Sequence, residues 1–141
     1  MKLNVKQADV WAVTIDDRPG GLLEKLAPLS QSGANLEFIV SRRAPDQPGK
    51  GVVFVTPIKG AKQTKAAEMA GFQKAAGLHS LRIEGTDKPG AGSAIAKALA
   101  DAGLNLSGVS GAALGKRFVA YVGFDTPEDA ARAASILKKV S

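Results

Sequence analysis

The sequence predicts an α+β protein made of two copies of one β-α-β-β-α unit, with antiparallel sheets carrying helices on one face. Three observations predict it. The chain matches itself at a fixed offset of 70: Val13 falls on Ile83, Asp17 on Asp87, Pro19 on Pro89, Gly20 on Gly90, Gly33 on Gly103, Asn35 on Asn105 and Leu36 on Leu106. Repetition at one offset, carried by Pro, Gly and Asn, marks a duplicated supersecondary unit. Within each copy the apolar spacing changes from strand-like alternation to a helical stripe. Pro-Gly pairs and single glycines punctuate the changes.

The elements follow in order. In "DVWAVTI", Trp11, Val13 and Ile15 share one face, which is a strand pattern. "RPGG" and its counterpart "KPGA" place Pro second and Gly third in a four-residue turn, as a type II turn with positive φ at the third place requires. Leu22, Leu23, Leu26 and Leu29 then form a helical stripe, repeated as Ile95, Leu99 and Ala102. Pro28 should kink or shorten the first helix. Gly33 and Gly103 stand where these helices should end.

Second strands are expected from Asn35 and Asn105, the first followed by a polar hairpin loop, "APDQPGKG". The third strands, Val52 to Thr56 and Phe118 to Phe124, are apolar on both faces, so they should be central. A helix from about Lys62 to Phe72 closes the first copy. In the second, Thr126 reads as an N-cap, Pro127 as the first helical residue, and Glu128 and Asp129 as first-turn acids. The repeats divide the chain into domains 1–74 and 75–141, each with a fourth strand that is short or missing. The N-terminal "KLNVK" is a candidate strand for one of the open edges, and unpaired edges call for pairing between halves or chains.

Composition bounds the function. The chain of 141 residues has no cysteine, which removes disulfides, thiolate metal sites and thiol catalysis. It also has no apolar leader and no bilayer-length apolar run, so the expectation is a cytoplasmic protein away from membranes. The net charge of +6 comes from scattered bases, the densest being Lys59, Lys62 and Lys65. Aromatics make up 5%, and Phe54, Phe118 and Tyr121 read as core, which argues against nucleic acid as a partner.

Catalytic motifs fail. "GVSGA" lacks the second glycine of a nucleophile elbow, and "GTDKPGAGS" lacks the Gly-Lys-Ser/Thr ending of a phosphate loop. His79 is the single histidine, with no metal-binding companion. No enzyme activity, metal or cofactor is expected.

The repeated loop remains. As structure it is a turn in which Asp can bond the N–H groups at the helix entrance. As a site it offers bare N–H donors and positive dipole charge to a carboxylate, with glycines that let a ligand come close. The Asn residues lie at the opposite end of the sheet from the loop of their own copy. They could meet a loop across an interface between copies, in a pocket suited to a free amino acid.

These residues resemble a known family. Asp17-Arg18-Pro19-Gly20-Gly21-Leu22 followed by Gly33-Ala34-Asn35-Leu36 is similar to the ACT domain pattern of an Asp-x-Pro-Gly-x-Leu turn, a helix and Gly-x-Asn-Ile. Asp87-Lys88-Pro89-Gly90-Ala91-Gly92 and Gly103-Leu104-Asn105-Leu106 repeat it, with Gly92 in place of the Leu. The resemblance implies two ferredoxin-like domains that pair side by side, in a regulatory protein that binds a small molecule, most often an amino acid. The ligand positions it implies are Asp17, Gly20, Gly21, Leu22 and Asn35, then Asp87, Gly90, Ala91, Gly92, Ser93 and Asn105. It further implies a homodimer, with a separately encoded metabolic enzyme as a possible partner. The alternative is an oligomerisation or interaction subunit that regulates an enzyme without a ligand of its own.

Overall fold

In the computed structural model, which describes residues 2–140, the chain forms eight strands and four helices. The order is β1 (Asn4–Ala8), β2 (Trp11–Asp16), α1 (Gly21–Gln31), β3 (Phe38–Arg43), β4 (Lys50–Thr56), α2 (Gly60–Met69), β5 (Gln73–Lys74), β6 (His79–Thr86), α3 (Ala91–Asp101), β7 (Gly108–Leu114), β8 (Arg117–Phe124) and α4 (Pro127–Leu137). Two four-stranded antiparallel sheets result, ordered β3-β4-β2-β5 and β1-β6-β8-β7. They belong to two units. One is Asp9–Ala75, and the other joins β1 to the chain from Ala76 onward. A division at 74/75 places the first strand with the N-terminal repeat, whereas its hydrogen-bonding partner is β6.

The missing fourth strands are thus handled differently. In the N-terminal unit β5 pairs only with Trp11 and Ala12 of β2. In the C-terminal unit β1 runs along β6 from Ala8↔Ser80 to Asn4↔Glu84. Alternation decides what each strand buries. Leu3 and Val5 join Leu81, Ile83, Ile95, Leu99, Val122 and Phe124 in one core, while Trp11, Val13, Ile15, Leu29, Val53, Val55 and Phe72 form the other. The apolar strands β4 and β8 are central, as their apolar residues on both faces predict.

The helix ends follow local chemistry. Gly33 (φ 86) and Gly103 (φ 74) take the left-handed conformation just past α1 and α3. Ala34 N–H then donates to the Leu29 carbonyl and Leu104 N–H to that of Leu99, closing a Schellman motif in both copies. Thr126 caps α4 by accepting from the Asp129 amide at 3.1 Å.

Several expectations are corrected. β3 and β7 begin at Phe38 and Gly108, three residues after the Asn residues, because the intervening Leu36 and Leu106 pack against the cores before pairing starts. Helix α2 begins at Gly60 and ends at Met69, so Phe72 lies beyond it, buried in the core. Pro28 does not shorten α1, which at eleven residues equals α3. Leu23 is turned out to solvent, 68% exposed. Phe54 is half-buried on the helix-free sheet face, with the Arg42 guanidinium 5.9 Å from its ring centre.

Candidate functional site

The two loops are built alike. Arg18-Pro19-Gly20-Gly21 and Lys88-Pro89-Gly90-Ala91 are type II turns: Gly20 has φ 85, ψ −9 and Gly90 φ 86, ψ 1. The Gly21 amide donates to the Arg18 carbonyl at 3.0 Å and the Ala91 amide to that of Lys88 at 3.2 Å. Each turn is tied to the adjacent hairpin, Asp17 N–H donating to the Gly49 carbonyl (2.9 Å) and Asp87 N–H to that of Lys116 (2.8 Å). Gly20 and Gly90 are the N-caps of α1 and α3, and no side chain caps either helix. The expectation that Asp bonds the helix-entrance amides is therefore not met. The Asp17 carboxylate instead accepts from Arg43 Nε at 2.9 Å; Arg43 stands opposite Gly51 at the same end of the sheet, a position that Ala113 fills in the second copy.

The copies differ in charge and in room. At the first loop, Arg18 lies across the turn, 2.7 Å from Glu24 and 3.7 Å from Asp16. Asp16 also accepts from the Lys50 ammonium, whose hydrogen bond and charge hold its carboxyl below the ordinary range, with Arg18 adding to the effect. The repeat offset places Thr86, Lys88 and Ala94 at the positions of Asp16, Arg18 and Glu24. Helix α3 accordingly has no acid in its first turn, whereas α1 has Glu24. Gly21 is buried, and a Cβ there would run into the Asp16 carbonyl oxygen, whereas Ala91 carries a methyl at the same place. Leu22 packs against its core. Gly92 and Ser93 are exposed, and a Cβ on Gly92 would meet nothing.

The remaining expected residues lie apart from these loops. Asn35 and Asn105 are exposed in the connections to β3 and β7. In each sheet the first strand's end and the second strand's start lie at opposite poles: Asp16 stands opposite Lys50, whereas Phe38 stands opposite Thr56. The C-terminal sheet repeats this, with Thr86 opposite Arg117 and Gly108 opposite Gly123. Within one unit the loop and the Asn therefore do not form one site. Asp16, Asp17, Arg18 and Glu24 are the local sequence signal for the charged ring around the first loop, and Arg43 and Lys50 complete it from the hairpin.

No family model and no curated protein matches the chain. Solved structures do. Protein BT0572 from Bacteroides thetaiotaomicron superposes with a TM-score of 0.76 at 16% identity, over 96% of this chain and 98% of that one. The regulatory subunit of aspartate kinase from Thermus thermophilus, in its ligand-free form, gives 0.66 at 15% identity, over 99% and 97%. The aspartate kinase of Clostridium acetobutylicum, described as an allosteric enzyme, gives 0.62 at 15% identity, over 98% of this chain and 33% of that one. The likeness is one of fold: two ferredoxin-like domains of the ACT type. Among the described residues no helix is long and apolar enough to cross a membrane.

Proposed function

We propose that this chain is a non-catalytic regulatory protein whose loop Asp87–Ser93 binds the carboxylate of a free amino acid at the start of α3. The observation that carries the reading is the uncapped entrance of α3, which has no acid in its first turn and is flanked by exposed Gly92 and Ser93. Positive dipole charge and unsatisfied N–H groups favour a carboxylate there. The first loop holds its own carboxylates at the same place, so it is the poorer anion site despite its fuller motif. The shared fold supports a regulatory role, since the Thermus neighbour is a regulatory subunit.

The rest of the pocket comes, in this reading, from a second copy. Strand β7, "GVSGAAL", lies at an open sheet edge without a charge or proline, with Val109 and Leu114 68% and 89% exposed. Such an edge invites pairing. An antiparallel pairing of two β7 strands about Gly111 sets Gly108 of one copy opposite Leu114 of the other. That brings Asn105 of the partner subunit to the pole that holds Asp87–Ser93, where its amide can meet the ligand's polar groups.

A thermal-shift screen over the common amino acids tests this. One of them should raise the melting temperature, because it binds the native state only. Gly92→Trp should abolish the rise and leave the unliganded melting temperature in place. A flat screen with a stable dimer would leave the interaction-subunit reading in its stead.

A further inference from the structure

A different sheet edge, beside β5, is left open beyond Ala12. The Val10 carbonyl accepts from Ala75 N–H at 2.9 Å, and Ala12 pairs with Gln73. The even-numbered residues of β2 therefore turn their peptide groups toward this edge. Gln73 is the last paired residue on the β5 side. Ahead of it, Gly71 (φ 98) leads out of α2 and Phe72 dives into the core, so β5 never reaches Thr14. The N–H groups of Thr14 and Asp16 and the Thr14 carbonyl face a place where a strand would run and none does. A cavity of about 440 Å³ lies there, lined by Ala12, Val13, Thr14, Lys25, Val52, Gly71 and Gln73. The half-buried Lys25 ammonium is held at it by the Ala70 carbonyl at 2.9 Å. Among the described residues no carboxylate is within ion-pair distance of Lys25.

The other unit displays what fits such a slot. At offset 70, Val13 and Thr14 correspond to Ile83 and Glu84, which β1 covers with Val5 and Asn4 in antiparallel register. Val5 is buried there. An extended chain is thus the occupant that this sheet geometry accepts.

We infer that the groove captures the free C-terminal end of an extended polypeptide, laid antiparallel to β2 with its peptide groups on Thr14 and Asp16 and its carboxylate on Lys25. Gln73 already fills the place opposite Ala12, so an incoming strand has to end opposite Val13. Antiparallel entry puts a C-terminus at that point, beside a cation; parallel entry would put an ammonium there, which Lys25 repels. Main-chain bonds supply the attachment and the charge sets the direction. This site is independent of the amino-acid reading, since it uses neither turn.

The probe is an N-acetylated tetrapeptide of sequence Lys2–Val5, whose last residue copies the one opposite Ile83, prepared both with a free C-terminus and as its amide. In amide-resolved NMR of the whole protein, the acid form should shift and slow the exchange of the Thr14 and Asp16 amides. The amide form should bind about tenfold more weakly, as expected for a lost charge-assisted hydrogen bond. Lys25→Met should erase that preference. Should Lys25→Met fail to fold, the comparison of acid with amide on the unaltered protein decides alone. Equal response to acid and amide, silence at Thr14 and Asp16 with millimolar peptide, or changes confined to the β6 amides would each overturn the inference.

Discussion

Val5 stands opposite Ile83, and both are buried in the core of the C-terminal unit. The strand nearest the start of the chain is therefore structural material for its second half. Leu3→Ala should cost about 2–3 kcal/mol through lost burial and an imperfectly filled cavity. The loss should fall on the C-terminal unit. Amide exchange at Leu81 and Ile83 should accelerate in moderate urea, while the fluorescence of Trp11, buried in the other core, keeps its midpoint.

The two helix entrances should respond unequally to exchange of their first residues. Gly21→Ala drives a methyl into the Asp16 carbonyl and should cost about 1–3 kcal/mol, as overpacking does. Ala91→Gly removes a methyl that the C-terminal unit accommodates and should cost about 0.5–1 kcal/mol. Urea denaturation of the two variants checks the order; equal costs would mean that the turns are interchangeable.

The cap on α4 makes a simpler case. Thr126 accepts one hydrogen bond from a first-turn amide, so Thr126→Ala should lower stability by about 1 kcal/mol, whereas Thr126→Ser should hold most of it. A denaturation midpoint common to Ala and Ser would remove the cap as the cause.

Acid should act through Glu84. Arg82 hydrogen-bonds its carboxylate at 2.9 Å and Arg117 at 3.2 Å, and together they hold its pKa below the ordinary value. A depressed native pKa means that the unfolded state binds the proton more readily. The stabilisation is thus complete above the unfolded value, roughly 4.3, and is lost as pH falls toward the native one. Glu84→Gln should flatten the stability profile of the C-terminal unit below about pH 4 and change its slope little near neutrality. An unchanged acid limb would show that Glu84 is not coupled to folding.

Much of this fold can be read from residue types because it is written in local backbone chemistry. Arg18-Pro19-Gly20-Gly21 and Lys88-Pro89-Gly90-Ala91 specify their turns, Gly33 and Gly103 their helix ends, and Thr126 its cap. What escapes depends on distant partners. Asn35-Leu36-Glu37 continues the alternation of the following strand, yet Leu36 is spent on the core before pairing begins. Leu23 fits the helical stripe as well as Leu22, but only one of these adjacent positions can face the sheet. Nothing in "DDRPGG" foretells that Asp17 meets Arg43, because that pairing depends on the register of a strand further along. The two-pole placement of the expected ligand residues is, by contrast, legible: in a β-α-β-β-α unit the first strand ends at the pole opposite to the one where the second begins, and Asp16 and Phe38 lie so.

The exchange of the first strand also orders events during synthesis. β1 leaves the ribosome some seventy residues ahead of β6, which at roughly 5–20 residues per second is a wait of several seconds. In that interval Asp9–Ala75 has its own sheet and core complete and can fold, while β1 trails from it with Leu3 and Val5 uncovered. The C-terminal unit closes only when β1 meets the chain from Ala76 onward, so a pause in translation after Ala75 would prolong the exposure of Leu3 and Val5 beside an otherwise finished unit.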